Sequence, residues 1–283
     1  SAAGATWSVV AVDPETGEVG AAIASCVPGD ILGEPTGPLV PVALVPGVGA
    51  GVSQGQLDVG APGRIIELLE TGSDPAAVVD DLTDPERDAL FAVRQHAVVA
   101  AVDGPAASAT VAAHTGAELS AAALDRQGDG VSVQGNLLVA DAVVDDALGA
   151  YASARAADGA LADALVDALV AGARAGGDRR CGDQTALFAQ VVVAGPDDDP
   201  TQPTTVLTVL VADGDGRNPV EELATAWSEG RRGLIDLDQP SPAGGRWFRI
   251  AVFVVAGAMV GGAVLAFARG LGAVSARRTS PPS

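Results

Sequence analysis

The chain has 283 residues, 36 acidic side chains against 16 basic ones, and a formal net charge of −20. Every basic residue is an arginine, which excludes Schiff-base lysines and phosphate loops of the G-x-x-x-x-G-K-S/T kind, because both need an ε-amine. The charge divides near Ser228: residues 1–230 carry 34 acids and 9 arginines (−25), residues 231–283 carry 2 acids and 7 arginines (+5), and a −25 body repels phosphate backbones, so no nucleic-acid partner is expected.

Ala3-Gly4-Ala5 stands before Thr6 in the A-x-A form of a signal-peptidase site, so residues 1–5 are expected to be a signal-peptide remnant or a short tail. Thr6–Val12 and Glu18–Ser25 are apolar, β-branched runs joined by a turn with Pro14 and Gly17, and predict a hairpin. Residues 26–38 are a Pro/Gly-rich loop, and Val40–Val45 and Val48–Ser53 predict strands. Gly63–Glu70 predicts a helix after Pro62, and Asp74-Pro75 and Asp84-Pro85 each pair a cap with a first-turn proline, so two short helices are expected there. Gln95–Val102 and Ala107–Ala113 form a second predicted hairpin and Gly130–Leu138 a further strand. Asp141–Ala156 and Ala160–Ala173 have helical apolar spacing, and Gly176-Gly177 stops the second. Thr185–Val193 and Thr204–Val211 predict paired strands, and Pro219–Glu229 a last helix. Strand and helix groups in this order make a mixed α+β domain over residues 6–230, not an alternating βαβ fold.

Residues 231–246 read as a linker. Ile250–Ala268 is a run of 19 residues without a charge, near the ~20 that a helix needs to span a bilayer. Arg246, Trp247 and Arg249 stand at one edge and Arg269, Arg277 and Arg278 beyond the other, so residues 247–269 are expected to be a transmembrane helix and 270–283 a cytoplasmic tail. A buried core helix is the alternative. The two cysteines, Cys26 and Cys181, fit one disulfide formed outside the cytoplasm, or else two separate buried thiols; their spacing matches no zinc motif. The expected location is therefore the cell membrane, single-pass, with the acidic domain extracytoplasmic.

No metal or cofactor is expected. His96 and His114 fall on separate predicted strands, and Asp213-Gly-Asp215-Gly lacks the later ligands of a calcium loop. Gly47-Val-Gly-Ala-Gly51 departs from G-x-G-x-x-G, so dinucleotide binding is not expected. What remains is a hydroxyl at the head of the first strand. Cleavage after Ala5 would make Thr6 a residue whose own α-amine accepts its hydroxyl proton, so that nucleophile and base arrive together.

Five stretches carry a resemblance: Thr6–Gly20 (TWSVVAVDPETGEVG), Pro46–Ala50 (PGVGA), Ala113–Gly116 (AHTG), Val131–Asn136 (VSVQGN) and Ala175–Arg180 (AGGDRR). In this order they look like successive motifs of domain-of-unknown-function family 1028, over about residues 6–225. That family is grouped with the Ntn (N-terminal nucleophile) hydrolases. The resemblance implies a four-layer αββα sandwich and amide-bond hydrolysis; an amide in a small peptide or cell-envelope compound is the expected substrate. Read by their own chemistry, Thr6 is the expected nucleophile, Gln134-Gly135-Asn136 offers amide donors with Gly135 and Asn136 near the oxyanion, Asp178 is placed to orient the N-terminal amine, and Arg179 to bind a substrate carboxylate. Ser53, Gln54 and His114 are candidates for the same cleft. For each motif there is also a structural reading: a turn-stabilising amide pair at Gln134–Asn136, a helix stop with an ion pair at Gly176–Arg180, and a core histidine at His114. At the level of the whole protein the alternative is a catalytically silent surface domain for binding or scaffolding.

Overall fold

Small and β-branched residues shape the centre of the molecule. In the computed structural model, which describes residues 6–27, 38–39, 41–102 and 107–237, Thr6–Val12 (β1) and Val19–Ser25 (β2) pair antiparallel, Thr6 opposite Ser25 and Val12 opposite Val19. Asp13 closes their turn by accepting the Glu15 N–H at 2.9 Å, and Gly17 supplies the left-handed backbone the turn requires (φ +75°). Every residue of both strands is buried. Both faces are covered, which is why these strands read as unbroken apolar runs.

Among the described residues the strands form two sheets. The first places β1 and β2 between Val131–Asn136 (β8), edged by Leu124–Gly128 (β7), and Phe188–Ala194 (β9), followed outward by Thr205–Leu210 (β10) and Gly233–Asp236 (β11). The second consists of Val42–Val45 (β3), Gly49–Gly55 (β4), Arg94–Val102 (β5) and Ser108–Thr115 (β6), in that order. Helices Ala142–Ala156 (α3), Leu161–Arg174 (α4) and Pro219–Ser228 (α5) cover the outer face of the large sheet, burying Val143, Leu165, Leu169 and Leu223 against Trp7, Val9 and Val133. Helices Ala61–Glu70 (α1) and Pro75–Leu82 (α2) cover the small sheet, with Ile65, Leu69, Val78 and Leu82 on Val98 and Ala100. Between the sheets lies a third core of Val10, Val12, Ile23, Leu44, Val52 and Val99. The layers therefore run helix, sheet, sheet, helix, and the mixed α+β class read from the sequence holds.

Several local expectations change. Asp84-Pro85 starts only a turn, in which Asp84 accepts the backbone N–H groups of Arg87 and Asp88 at 2.9 Å; residues 84–87 are exposed, so no apolar stripe exists to hold a helix. β7 carries only one apolar residue, and as a half-exposed edge strand it has no alternation to reveal it. β11 pairs parallel to β10 within the stretch expected as a linker. β4 runs two residues beyond its expected end, which brings Gln54 into the ladder opposite Gln95. Among the described residues no helix is long and apolar enough to cross a membrane; the transmembrane helix expected over residues 247–269, its tail and residues 1–5 lie outside those residues.

Candidate active site

Side chains alternate across a strand, so Thr6, Ser8, Val10 and Val12 of β1 all look toward the second sheet. The apolar pair belongs to the inter-sheet core. The polar pair opens the other end of it, where Ser25 of β2, Ser132, Gln134 and Asn136 of β8, Gln54 of β4 and Gln95 of β5 converge. One end of the sandwich interior is hydrocarbon and the other is a hydrogen-bonded polar cluster, as buried polar groups require.

Thr6 is only 7% exposed. Its hydroxyl donates to Ser25 Oγ at 3.1 Å, and its carbonyl accepts from Gln54 Nε2 at 3.4 Å. Thr6 faces Ser25 on one side and Asn136 on the other in the ladder. Gln54 also accepts the Ser8 hydroxyl at 2.7 Å and donates to Gln95 Oε1 at 2.8 Å. Gln134 Nε2 donates to Ser8 Oγ at 2.6 Å, and Ser132 Oγ donates to Gln134 Oε1 at 2.9 Å. Gln95, fully buried, is the hub: Nε2 donates to Thr115 Oγ1 at 2.9 Å and to the carbonyls of Leu124 and Gly135 at 3.0 Å, while Oε1 accepts Asn136 Nδ2 at 3.2 Å. Thr115 passes its hydroxyl hydrogen to Asp125 at 2.7 Å.

Of the residues expected at the site, Thr6, Gln54, Gly135 and Asn136 are brought together. Gly135 offers its carbonyl to Gln95, and its missing side chain makes room for Leu138, whose Cδ1 would lie 2.6 Å from a Cβ there. Asp178 is fully buried and committed: it accepts Cys26 N at 2.9 Å, Arg180 N at 3.0 Å, and the Arg180 guanidinium at 3.1 Å (Nε) and 2.7 Å (Nη2). Its carboxylate thus fixes the residue that follows Ser25. Arg179 is exposed, and its N–H donates to Leu137 O at 3.2 Å, one residue past Asn136. Cys26 and Cys181 form the disulfide, with Cα atoms 5.7 Å apart, and pin β2 to the same loop.

Ser53 and His114 depart from expectation. Ser53, His96 and His114 are register partners on neighbouring strands of the small sheet, on the face toward α1 and α2. They cannot join a cleft between the sheets, because each sits one residue out of phase with Gln54, Gln95 and Thr115. The His96 and His114 rings lie 6.3 Å apart, and His114 Nε2 is 3.0 Å from Phe91 O. Burial, with the His114 ring beside it, pushes His96 down to about 4. Among the described residues no group of three or more His, Cys, Asp or Glu side chains is placed to hold a metal.

Ser8, Gln95, Thr115 and Asp125 were not singled out in the sequence. A signal for some was present: Thr6/Ser8 and Ser132/Gln134/Asn136 put polar residues at every second position of otherwise apolar strands.

A model of a family of unknown function, DUF1028, matches residues 6–223. The crystal structure of protein SPO2555 from Silicibacter pomeroyi, a DUF1028 protein, is similar at 25% identity and a TM-score of 0.57, over 80% of this chain and 89% of that one. No curated protein matches.

Proposed function

The chain belongs to the DUF1028 family, and on that premise we propose that it is an Ntn-type hydrolase that cleaves an amide in a small peptide or cell-envelope compound. The observation that carries this reading is the position of Thr6. Its hydroxyl stands at the head of the central strand, at the polar end of the space between two helix-covered sheets, and is held by Ser25. The helix, sheet, sheet, helix layering supports the Ntn grouping. The reading needs a chain that begins at Thr6. The α-amine then takes the Thr6 hydroxyl proton as Oγ1 attacks the amide carbon, and returns it to the leaving nitrogen when the C–N bond breaks. Water, deprotonated by the same amine, attacks the resulting ester, releases a carboxylic acid and restores the hydroxyl. Arg179, exposed beside Leu137, binds a carboxylate on the substrate.

The disulfide supports an extracytoplasmic site of action, since such bonds persist in oxidising compartments. The uncharged run Ile250–Ala268 is proposed as the membrane anchor that holds the domain there. The second reading, a silent binding or scaffold domain, is favoured by one observation: Thr6 is 7% exposed and already hydrogen-bonded.

Intact mass with a hydroxyl-reactive β-lactone decides between them. Protein beginning at Thr6 is expected to gain one acyl group on Thr6, and Thr6→Ala none. Equal labelling of the two, or none in either, would sink the nucleophile assignment.

A further inference from the structure

Gln95 has a part in this site that its sequence position does not announce. Its Nε2 donates to two backbone carbonyls, Leu124 O and Gly135 O, both at 3.0 Å. Carbonyls only accept, so the nitrogen of this amide must be on that side and its oxygen on the other. Gln95 Oε1 meets Gln54 Nε2 at 2.8 Å and Asn136 Nδ2 at 3.2 Å. Two amide oxygens facing each other would repel, so Asn136 must present its nitrogen to Gln95. Its oxygen is then left over: Asn136 is 1% exposed, and Oδ1 is buried with no hydrogen-bond partner. A buried acceptor without a donor is costly, and this one belongs to the residue directly across from Thr6 in the β1–β8 register, on the same face of the sheet.

We infer that Gln95 is a positioning residue that orients Asn136 so that Oδ1 accepts a hydrogen from the Thr6 α-amine. Asn136 thereby serves the base, and the oxyanion role expected for it from the sequence falls to other donors. This rests on the proposed start at Thr6. The other inner-face neighbours of Thr6 on β1, β2 and β4, namely Ser8, Ser25 and Gln54, are uncharged. The ionic groups around the site are Asp125, reached through Gln95 and Thr115, the Asp178–Arg180 pair beside Cys26, and Arg179.

The chain offers an unusually clean test, because without lysine the α-amine is its one primary amine. Protein beginning at Thr6 is treated with trace acetic anhydride across pH 5–10, and the titration midpoint of the amine is read from the rate of acetylation. Asn136→Asp puts a carboxylate beside the ammonium and is expected to raise the midpoint by about one pH unit or more. Asn136→Leu removes the acceptor and lowers it. Gln95→Met lets the Asn136 amide turn and lowers it likewise, yet adds nothing in an Asn136→Leu background, because it acts through Asn136. A midpoint that Asn136→Asp leaves in place, or a Gln95→Met effect that survives in Asn136→Leu, overturns the inference. Near-UV circular dichroism checks the fold of each variant. If Gln95→Met does not fold, the opposite shifts of Asn136→Asp and Asn136→Leu carry the decision. Lactone uptake is a separate readout: protein inert to lactone but with an Asn136-dependent amine refutes the nucleophile reading and upholds this one. Labelled protein whose amine ignores Asn136 does the reverse.

Discussion

Replacing Cys26 and Cys181 by serine opens a loop whose ends are 155 residues apart. In the chain-entropy model a loop of that length restricts the unfolded ensemble by about 5 kcal/mol at 25 °C, with about 2–5 kcal/mol the usual yield for native crosslinks. The native side should lose little, because the same two segments are also joined without sulfur: Asp178, fully buried, accepts Cys26 N–H and both the backbone and guanidinium of Arg180. The loss is therefore expected to come from the unfolded state. In urea titrations followed by tryptophan fluorescence, the midpoint should fall by an amount equivalent to about 2–5 kcal/mol. The dependence on urea should steepen, since an uncrosslinked chain exposes more surface on unfolding. The near-UV spectrum without urea should not change. A loss below about 1 kcal/mol would refute the entropic argument, and a collapsed native spectrum would show that the disulfide, and not Asp178, holds the end of β2.

His96 makes stability depend on pH. Its folded value of about 4 lies below the ordinary 6.5, so the unfolded chain binds the proton more tightly. Its contribution is fully present above about pH 6.5 and is lost as the pH falls toward 4, a difference of roughly 3 kcal/mol. Urea midpoints measured from pH 7 to 4 should fall less steeply in His96→Leu, and equal slopes in the two proteins would refute this. Asp88 and Arg94 form a buried pair at 2.7 Å with side chains 10% and 8% exposed, and the Arg94 hydrogen bond holds the Asp88 carboxyl below its ordinary range. Asp88→Ala is expected to cost on the order of 3 kcal/mol in thermal or urea unfolding, and a loss within the noise of a surface substitution would contradict that burial.

Much of the fold was legible because the signals were local. Proline and glycine punctuate the hairpin at Asp13–Gly17, apolar spacing marks α3 and α4, and Asp74-Pro75 starts α2, with the Asp74 side chain accepting Ala77 N–H as a cap should. The same Asp-Pro signal failed at Asp84, where no core waited to receive a helix. β7 and β11 were missed for a related reason: edge strands are defined by the partner they pair with.

The site divides along the same line. By itself the sequence determined that Thr6 heads a strand, that only Cys26 and Cys181 can pair, that Gln134-Gly135-Asn136 ends another strand, and which family the motifs resemble. The period of two says that Ser53 and Gln54 point opposite ways. It does not say which of them looks into the cleft, because every residue of β4 is buried and the strand has no exposed face to mark the outside. Stacking of the two sheets decided it, sending Ser53, His96 and His114 under the helices and Gln54, Gln95 and Asn136 toward Thr6. Gln95 in particular joins β4, β6, β7 and β8 through partners 20 to 41 residues away from it in the chain. A hydrogen-bond hub of that kind exists only once the chain has brought its partners together.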